Sequence, residues 1–278
     1  MFRFKDIFYG FIASASIGGI AVVTIVAALG AGMKLAMLSM IFWFILCIFM
    51  FGKLANNRLG KLANLLNECH VSEFVEEYDR IEERASGKEG KRFVVMNKAR
   101  GLIALGAIDE ALRDLKEVDI PEKHKPKEMH LLALFHMILF NAWVEKGDLD
   151  KAIKALSVCK YMIGDTLYKE PYLSNMMELV KRADARLALA QGEFDGLEER
   201  YWEITRGSVT PLDKVMAHYR LAEIAEHFGN EEDRTEHLEY VSENGGSTIY
   251  KFLADLALQG STVQDKAINE GFIDVEEE

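Results

Sequence analysis

The chain has 278 residues, half of them hydrophobic, and a formal net charge of -11 at pH 7. The charge is unevenly spread: residues 1–61 carry +5, which leaves -16 for residues 62–278. An acidic body of this kind repels phosphate backbones, which argues against nucleic acid as a partner. The cysteines have no metal-ligand or redox-pair spacing, so a reducing compartment without disulfides is expected; they are Cys47, Cys69 and Cys159.

The N-terminal region is apolar over 45 residues, 7–51, and Lys34 is its only charged residue. One helix of this length would overshoot a bilayer, whose core needs about 20 residues. Gly30 and Gly32 supply the backbone freedom for a tight turn. The sequence therefore predicts two transmembrane helices, about 7–29 and 34–51, with residues 7–51 in contact with the lipid bilayer.

Small residues recur every four positions on the first of these helices, at Gly10, Ser14 and Gly18. The second helix carries bulky residues instead, among them Trp43. Small side chains on one stripe let a neighbouring helix approach closely, so the pair is expected to pack as a hairpin. The alternative is that the small residues carry no meaning, since glycine and alanine are common in membrane helices.

Basic residues flank the apolar region on both sides, which predicts that both flanks stay in the cytoplasm; these residues are Arg3, Lys5, Lys53, Arg58 and Lys61. The predicted localisation is the cell membrane, multi-pass, with the N-terminus and the following domain cytoplasmic. A cleaved signal peptide is the rival interpretation. It is disfavoured because its apolar stretch would be about 23 residues, against 7–15 in a typical signal.

The rest of the chain has helical periodicity and no useful strand-like alternation. We expect an anchor at 1–58, a helical domain at 59–259 and an acidic flexible tail at 260–278. The predicted helix pairs of the domain, with a final single helix, are 60–68 with 72–85, 92–105 with 108–118, 127–146 with 149–163, 171–191 with 194–206, 211–228 with 231–243, and 247–258.

The turns inside these pairs repeat a pattern in which a glycine ends one helix and an acidic residue starts the next. The glycines are Gly106, Gly147, Gly192 and Gly229. Small residues occur seven positions before three of them and alanine five positions after two; they are Ala99, Ala185, Ala222, Ala111 and Ala152. A glycine in a left-handed conformation closes the first helix, and the small residues let the helices pack closely.

This pattern resembles the tetratricopeptide repeat family, whose units are such helix–turn–helix pairs. The resemblance covers roughly residues 60–245 and implies an all-α fold: a tetratricopeptide-like α-solenoid of about five helix pairs after the transmembrane hairpin. The turn glycines are 41, 45 and 37 residues apart, whereas the family repeats every 34 residues or so. A general α-solenoid is therefore the alternative.

The resemblance also implies a binding surface, because the first helix of each tetratricopeptide pair lines a concave groove. The residues that fall on the groove stripe are Arg100, Asn141, Arg182, Arg186, Tyr219 and Arg220. Guanidinium and amide groups suit the carboxylates or backbone amides of an extended peptide. The alternative is that these arginines pair internally, as Arg182 would with Glu178 four residues earlier.

The sequence contains no phosphate-binding glycine loop, zinc-protease motif or nucleophile elbow, so no catalytic residue, metal or cofactor is expected. The closest approach to a metal site is His218, Glu223 and His227, which lack a convincing set of ligands. We expect a membrane-anchored scaffold or adaptor that binds proteins or peptides at the cytoplasmic face, and not an enzyme. The alternative is an accessory subunit of an integral membrane complex such as a transporter.

Overall fold

The computed structural model describes residues 18–21, 24, 33–85, 87–119, 126–164, 172–207 and 209–260. These residues form an all-α fold without strands. The helices are α1 (Met33–Asn67), α2 (Val71–Glu82), α3 (Lys88–Leu105), α4 (Ile108–Lys116), α5 (Pro126–Lys146), α6 (Leu149–Gly164), α7 (Tyr172–Ala190), α8 (Leu197–Arg206), α9 (Pro211–His227), α10 (Glu231–Asn244) and α11 (Ile249–Leu258). The chain divides into two compact units, Met1–Asn64 and Leu65–Glu278. The predicted acidic tail lies outside the described residues except for Gly260.

Helix α1 differs from the sequence prediction, which placed separate helices at 34–51 and 60–68. The structure has one continuous helix from Met33 to Asn67. Gly52 and Gly60 lie within it, and a glycine in a helix interior costs only about 1 kcal/mol. No proline interrupts the segment, so two glycines are too weak to break the helix.

The described side chains in the apolar part of α1 are mostly exposed. Between Met37 and Met50, eleven large apolar side chains have 40% to 69% of their surface exposed. The positions between them, Ser39, Trp43 and Cys47, are partly buried and share one face of the helix, so exposed apolar side chains cover the rest of its circumference. Among the described residues, no helix has both the length and the apolar content needed to cross a membrane.

The first predicted transmembrane helix, 7–29, lies mostly outside the described residues, as do Gly10 and Ser14. Residues 18–21 are helical; Gly18 is half-buried and Gly19 is buried. A Cβ atom added to Gly18 would lie 2.7 Å from Cζ2 of Trp43 on α1. The absence of a side chain at Gly18 therefore allows the Trp43 indole to approach the backbone closely.

The second unit consists of antiparallel helix pairs joined by the predicted turns. The four turn glycines have φ values from 71° to 86°, which confirms the left-handed caps. At Gly106, the Ala107 amide donates to the Leu102 carbonyl at 2.9 Å, as expected for this type of helix end. Ala111 and Ala152 are fully buried, as expected for small residues between paired helices.

Helix bounds agree with the sequence prediction to within a few residues. In the second unit, α3 starts four residues early, at Lys88 instead of 92. The start of α8 moves to Leu197 from 194, because Gly196 adopts a left-handed φ of 70° and keeps Phe194 in the loop. At the start of α9, Thr210 and Asp213 form a reciprocal capping box, and Pro211 occupies the first turn.

The segment just before the last helix of this unit, α11, contacts the start of the unit around α2. The Ser247 amide donates to the Cys69 carbonyl at 2.9 Å, and the Ser72 amide donates to Ser247 Oγ at 3.0 Å. Gly246 is essential to this contact, since a Cβ there would lie 2.4 Å from the Cys69 carbonyl oxygen. In an open solenoid each repeat contacts only its neighbours. Here the two ends of the helical array are joined.

Candidate functional site

The predicted groove residues lie on the first helices of successive pairs. Arg100 is on α3, Asn141 on α5, and the remaining four are on α7 and α9. The structure brings Asn141, Arg186, Tyr219 and Arg220 together. The residue at their centre is Glu145 on α5, one helical turn after Asn141.

Glu145 accepts hydrogen bonds from three other helices. Its Oε1 atom accepts from Nη2 of Arg186 on α7, from Nη2 of Arg220 on α9 at 2.8 Å, and from the hydroxyl of Tyr250 on α11 at 2.7 Å. We call these four residues, with Asn141 and Glu223, the Glu145 cluster. Arg186 Nη1 also donates to Asn141 at 2.7 Å, and Arg220 Nη1 donates to both carboxylate oxygens of Glu223 at 2.9 Å.

The charges of the Glu145 cluster balance one another. Burial alone would raise the pKa of Glu145, but the guanidiniums of Arg186 and Arg220 outweigh it and lower the pKa to about 2. Burial likewise opposes the charge of Arg220, yet Glu223 and Glu145 raise its pKa well above the ordinary value. Two guanidiniums therefore face two carboxylates. The cluster is an internal electrostatic junction between four helices.

Aromatic rings line this junction. The Arg220 guanidinium lies 5.3 Å from the centre of the Tyr219 ring and 5.6 Å from that of Tyr250. The Tyr201 hydroxyl and the Nε atoms of Arg186 and Arg220 are buried without a hydrogen-bond partner in the described part of the chain. Burial also raises the pKa of Tyr201 to about 12. Because these rings and the ion-pair partners enclose Arg186 and Arg220, the two arginines have little surface left for a large ligand.

The other two predicted arginines are placed differently. Arg182 pairs with Asp213 at 3.1 Å, whereas Glu178 pairs with Lys181 at 2.7 Å. Arg100 is exposed, and within the described ranges it forms no ion pair; its Nη1 atom lies 3.4 Å from Asn97 Oδ1. Internal pairing thus accounts for three of the four arginines, and peptide binding by Arg100 stays a prediction.

A second feature, which the sequence did not single out, is a surface cleft of about 450 Å³. We call it the Phe194 cleft. The Phe194 ring stacks on the His227 ring with their centres 3.6 Å apart and an interplanar angle of 5°. Phe228 is 61% exposed and meets Phe194 edge-on at 6.2 Å. The remaining lining residues are Ala188, Gly192, Glu193, Asp195, Leu197 and Arg200.

The residues considered for a metal site each have a different partner. Glu223 binds Arg220, His227 stacks on Phe194, and His218 contacts His237 with the two Nδ1 atoms 3.2 Å apart. Within the described ranges, no group of three histidine, cysteine or acidic side chains is arranged to hold a metal ion. Cys69 is buried, and burial raises its pKa to about 11, so its thiol is a poor nucleophile.

Comparison of the chain with protein-family models, with curated proteins and with solved structures finds no match. The geometry of the chain itself is therefore the basis for inferring its function. That geometry offers an internally balanced polar junction, an exposed aromatic cleft and an exposed apolar helix.

Proposed function

We propose that the chain is a membrane-anchored helical-repeat scaffold that binds proteins or peptides at the cytoplasmic face. The observation that carries the proposal is the exposed apolar surface of α1 between Met37 and Met50. A helix that is apolar on every side needs an apolar environment all round it. Exposed apolar patches of this extent mark membrane or protein interaction sites.

A lipid bilayer would supply that environment if the segment forms a transmembrane hairpin, with helices at about 7–29 and 34–51. The close approach of Trp43 to the Gly18 backbone supports tight packing of the two helices. Lys53, Arg58 and Lys61 follow the apolar segment and favour a cytoplasmic helical unit.

The binding role rests on the second unit. Its tetratricopeptide-like pairs, with left-handed turn glycines and buried alanines, are typical of domains that present binding surfaces. The exposed rings of the Phe194 cleft add an aromatic surface of the kind enriched at binding hot spots. These features support an adaptor role over an enzymatic one.

Membrane extraction tests the anchor. The full-length protein should remain with membranes in alkaline carbonate and be released by detergent. Replacing Ile41 and Ile45 with lysine should shift it to the soluble fraction, because each charge at a membrane helix centre costs about 3 kcal/mol. The matched control is Ile153→Lys with Tyr161→Lys, two exposed positions on α6, which should not change the distribution. Release of the unaltered protein by carbonate alone would overturn the proposal.

A protease-protection experiment tests the orientation. A reporter fused after Glu278 should resist external protease in intact cells, because the basic flanks retain both ends inside. Cleavage of the reporter from outside would reverse the assignment.

The same exposed helix also fits an accessory subunit of an integral membrane complex such as a transporter, in which α1 packs against other membrane helices. Purification in mild detergent separates the two functions. Stoichiometric membrane subunits would favour the complex, and soluble partners that bind the helical unit would favour the scaffold.

A further inference from the structure

We propose that the Phe194 cleft is the docking site for an extended partner segment rich in lysine or arginine, one of whose cationic side chains lies over the Phe228 ring. The inference rests on the proposed scaffold function and names the chemistry of its partner. It is carried by the shape and rings of the cleft, and by the charge in and around it.

The cleft exists because two loops hold aromatic residues outside the helices. Gly192 and Gly196 adopt left-handed conformations and keep Phe194 in the α7–α8 loop. Phe228 follows α9 in the neighbouring turn. An aromatic ring with an exposed face attracts a cation through its quadrupole.

The charged groups in the cleft favour a cationic ligand. Glu193 and Asp195 are exposed and form no ion pair within the described part of the chain. Arg200 is the cation that lines the cleft beside them. Two carboxylates and one guanidinium leave the cleft with a net negative charge, next to a partly exposed aromatic surface.

The surrounding surface has the same sign. Residues 193–243 contain 14 acidic and five basic residues, a net charge of -9, which is more than half of the -16 carried by residues 62–278. Many of these acids are exposed on α8 and α10, including Glu198, Glu199, Glu232 and Glu236. Such a field steers basic segments toward the cleft and repels acidic peptides, nucleic acid and anionic lipid.

The partner is therefore a protein segment, because a flexible basic peptide can combine several charges with one side chain over the ring. A basic partner differs from the acidic peptide that the predicted arginine groove would bind. The structure disfavours that groove, because it places three of the four arginines in internal ion pairs.

Fluorescence anisotropy with the full-length protein in detergent tests the inference. The probe is a labelled 12-residue peptide with four arginines separated by glycine and serine; matched peptides carry four glutamates or four leucines. At about 150 mM salt, where charges beyond about 8 Å are screened, only the arginine peptide should bind. Phe228→Ala should weaken its binding about tenfold. Phe93→Ala, which removes another exposed ring, should leave the affinity unchanged.

A second pair of variants separates the cleft from general charge attraction. Glu193→Gln with Asp195→Asn removes two charges inside the cleft, and Glu239→Gln with Glu243→Gln removes two exposed charges from α10. The first pair should weaken binding at least three times more than the second. Equal losses, or unchanged binding in Phe228→Ala, would overturn the inference. If a soluble partner is captured and its binding is unaffected by Phe228→Ala, the inference fails but the scaffold function stands. Carbonate release of the whole chain would refute the proposed membrane-anchored scaffold, whether or not the arginine peptide binds.

Discussion

Tyr250 and Glu145 are 105 residues apart, and the Tyr250 hydroxyl donates a 2.7 Å hydrogen bond to Glu145 Oε1. The Tyr250 ring is 2% exposed and packs against Tyr219 with the ring centres 5.3 Å apart. The last helix is thereby tied to the middle of the array and not only to its neighbour. This contact should make unfolding of the second unit more cooperative than that of an open repeat array.

Tyr250→Phe should lower the free energy of unfolding by about 1.5–3 kcal/mol, the usual contribution of a hydrogen bond to a charged group. The ring and its packing remain, so the loss reports the hydroxyl alone. Urea unfolding followed by tryptophan fluorescence measures the change. Tyr161→Phe is the control, because Tyr161 is 74% exposed; it should change the stability by less than about 0.5 kcal/mol.

Removing the charge of Glu145 should be more damaging. Glu145→Gln leaves Arg186 and Arg220, whose side chains are only 8% and 12% exposed, facing each other without the shared carboxylate. Breaking a buried ion pair in this way costs about 3–5 kcal/mol. Glu178→Gln disrupts an exposed pair with Lys181 and should cost less than about 1 kcal/mol. Similar losses in the two variants would show that the Glu145 cluster contributes no more than a surface pair.

Sequence reasoning predicted the elements whose causes are local. The turn glycines Gly106 and Gly147 were identifiable because a helix end, a left-handed residue and the next helix start lie within a few positions of one another. The continuation of α1 through Gly60 differs from the prediction because two glycines disfavour a helix only weakly, and good helix formers surround them.

The sequence predicted only part of the Glu145 cluster. The repeat pattern placed Asn141, Arg186 and Arg220 on one stripe, but it gave no indication that Glu145 would bind both arginines. Those partners are 41 and 75 residues away, and no local pattern encodes such a contact. The available signal was weak: Glu145 lies four residues after Asn141 and so shares its helix face.

Gly101 provides a test of how closely α2 and α3 pack. A Cβ atom at Gly101 would lie 2.7 Å from both Phe74 Cδ1 and Val75 Cγ2. Gly101→Ala should therefore lower the free energy of unfolding by about 1–3 kcal/mol through overpacking. Gly90 lies in the same helix with no atom within 4 Å. Gly90→Ala should be neutral or stabilising by up to about 1 kcal/mol, and a similar stabilisation by Gly101→Ala would contradict the close packing.

The His218–His237 contact predicts a pH dependence of stability. Burial, with smaller effects of His237 and Lys214, lowers the pKa of His218 from 6.5 to about 4. Burial also lowers the pKa of His237, although Glu236, Asp233 and Glu198 act in the opposite direction. Both rings therefore stay neutral in the folded protein at pH values where the unfolded chain already binds protons.

The sign of the effect follows from that difference. Above pH 6.5 the His218 ring is neutral in both the folded and the unfolded state, so its contribution to stability is constant. Between pH 6.5 and 4 the unfolded state binds more protons, so the folded state loses stability as the pH falls. For His218 the loss is up to about 3 kcal/mol. Urea unfolding at half-unit pH steps should show this fall, and His218→Gln should flatten it. His227→Gln removes an exposed histidine outside this contact and should preserve the fall. An equally steep pH dependence in His218→Gln would place its origin in other groups.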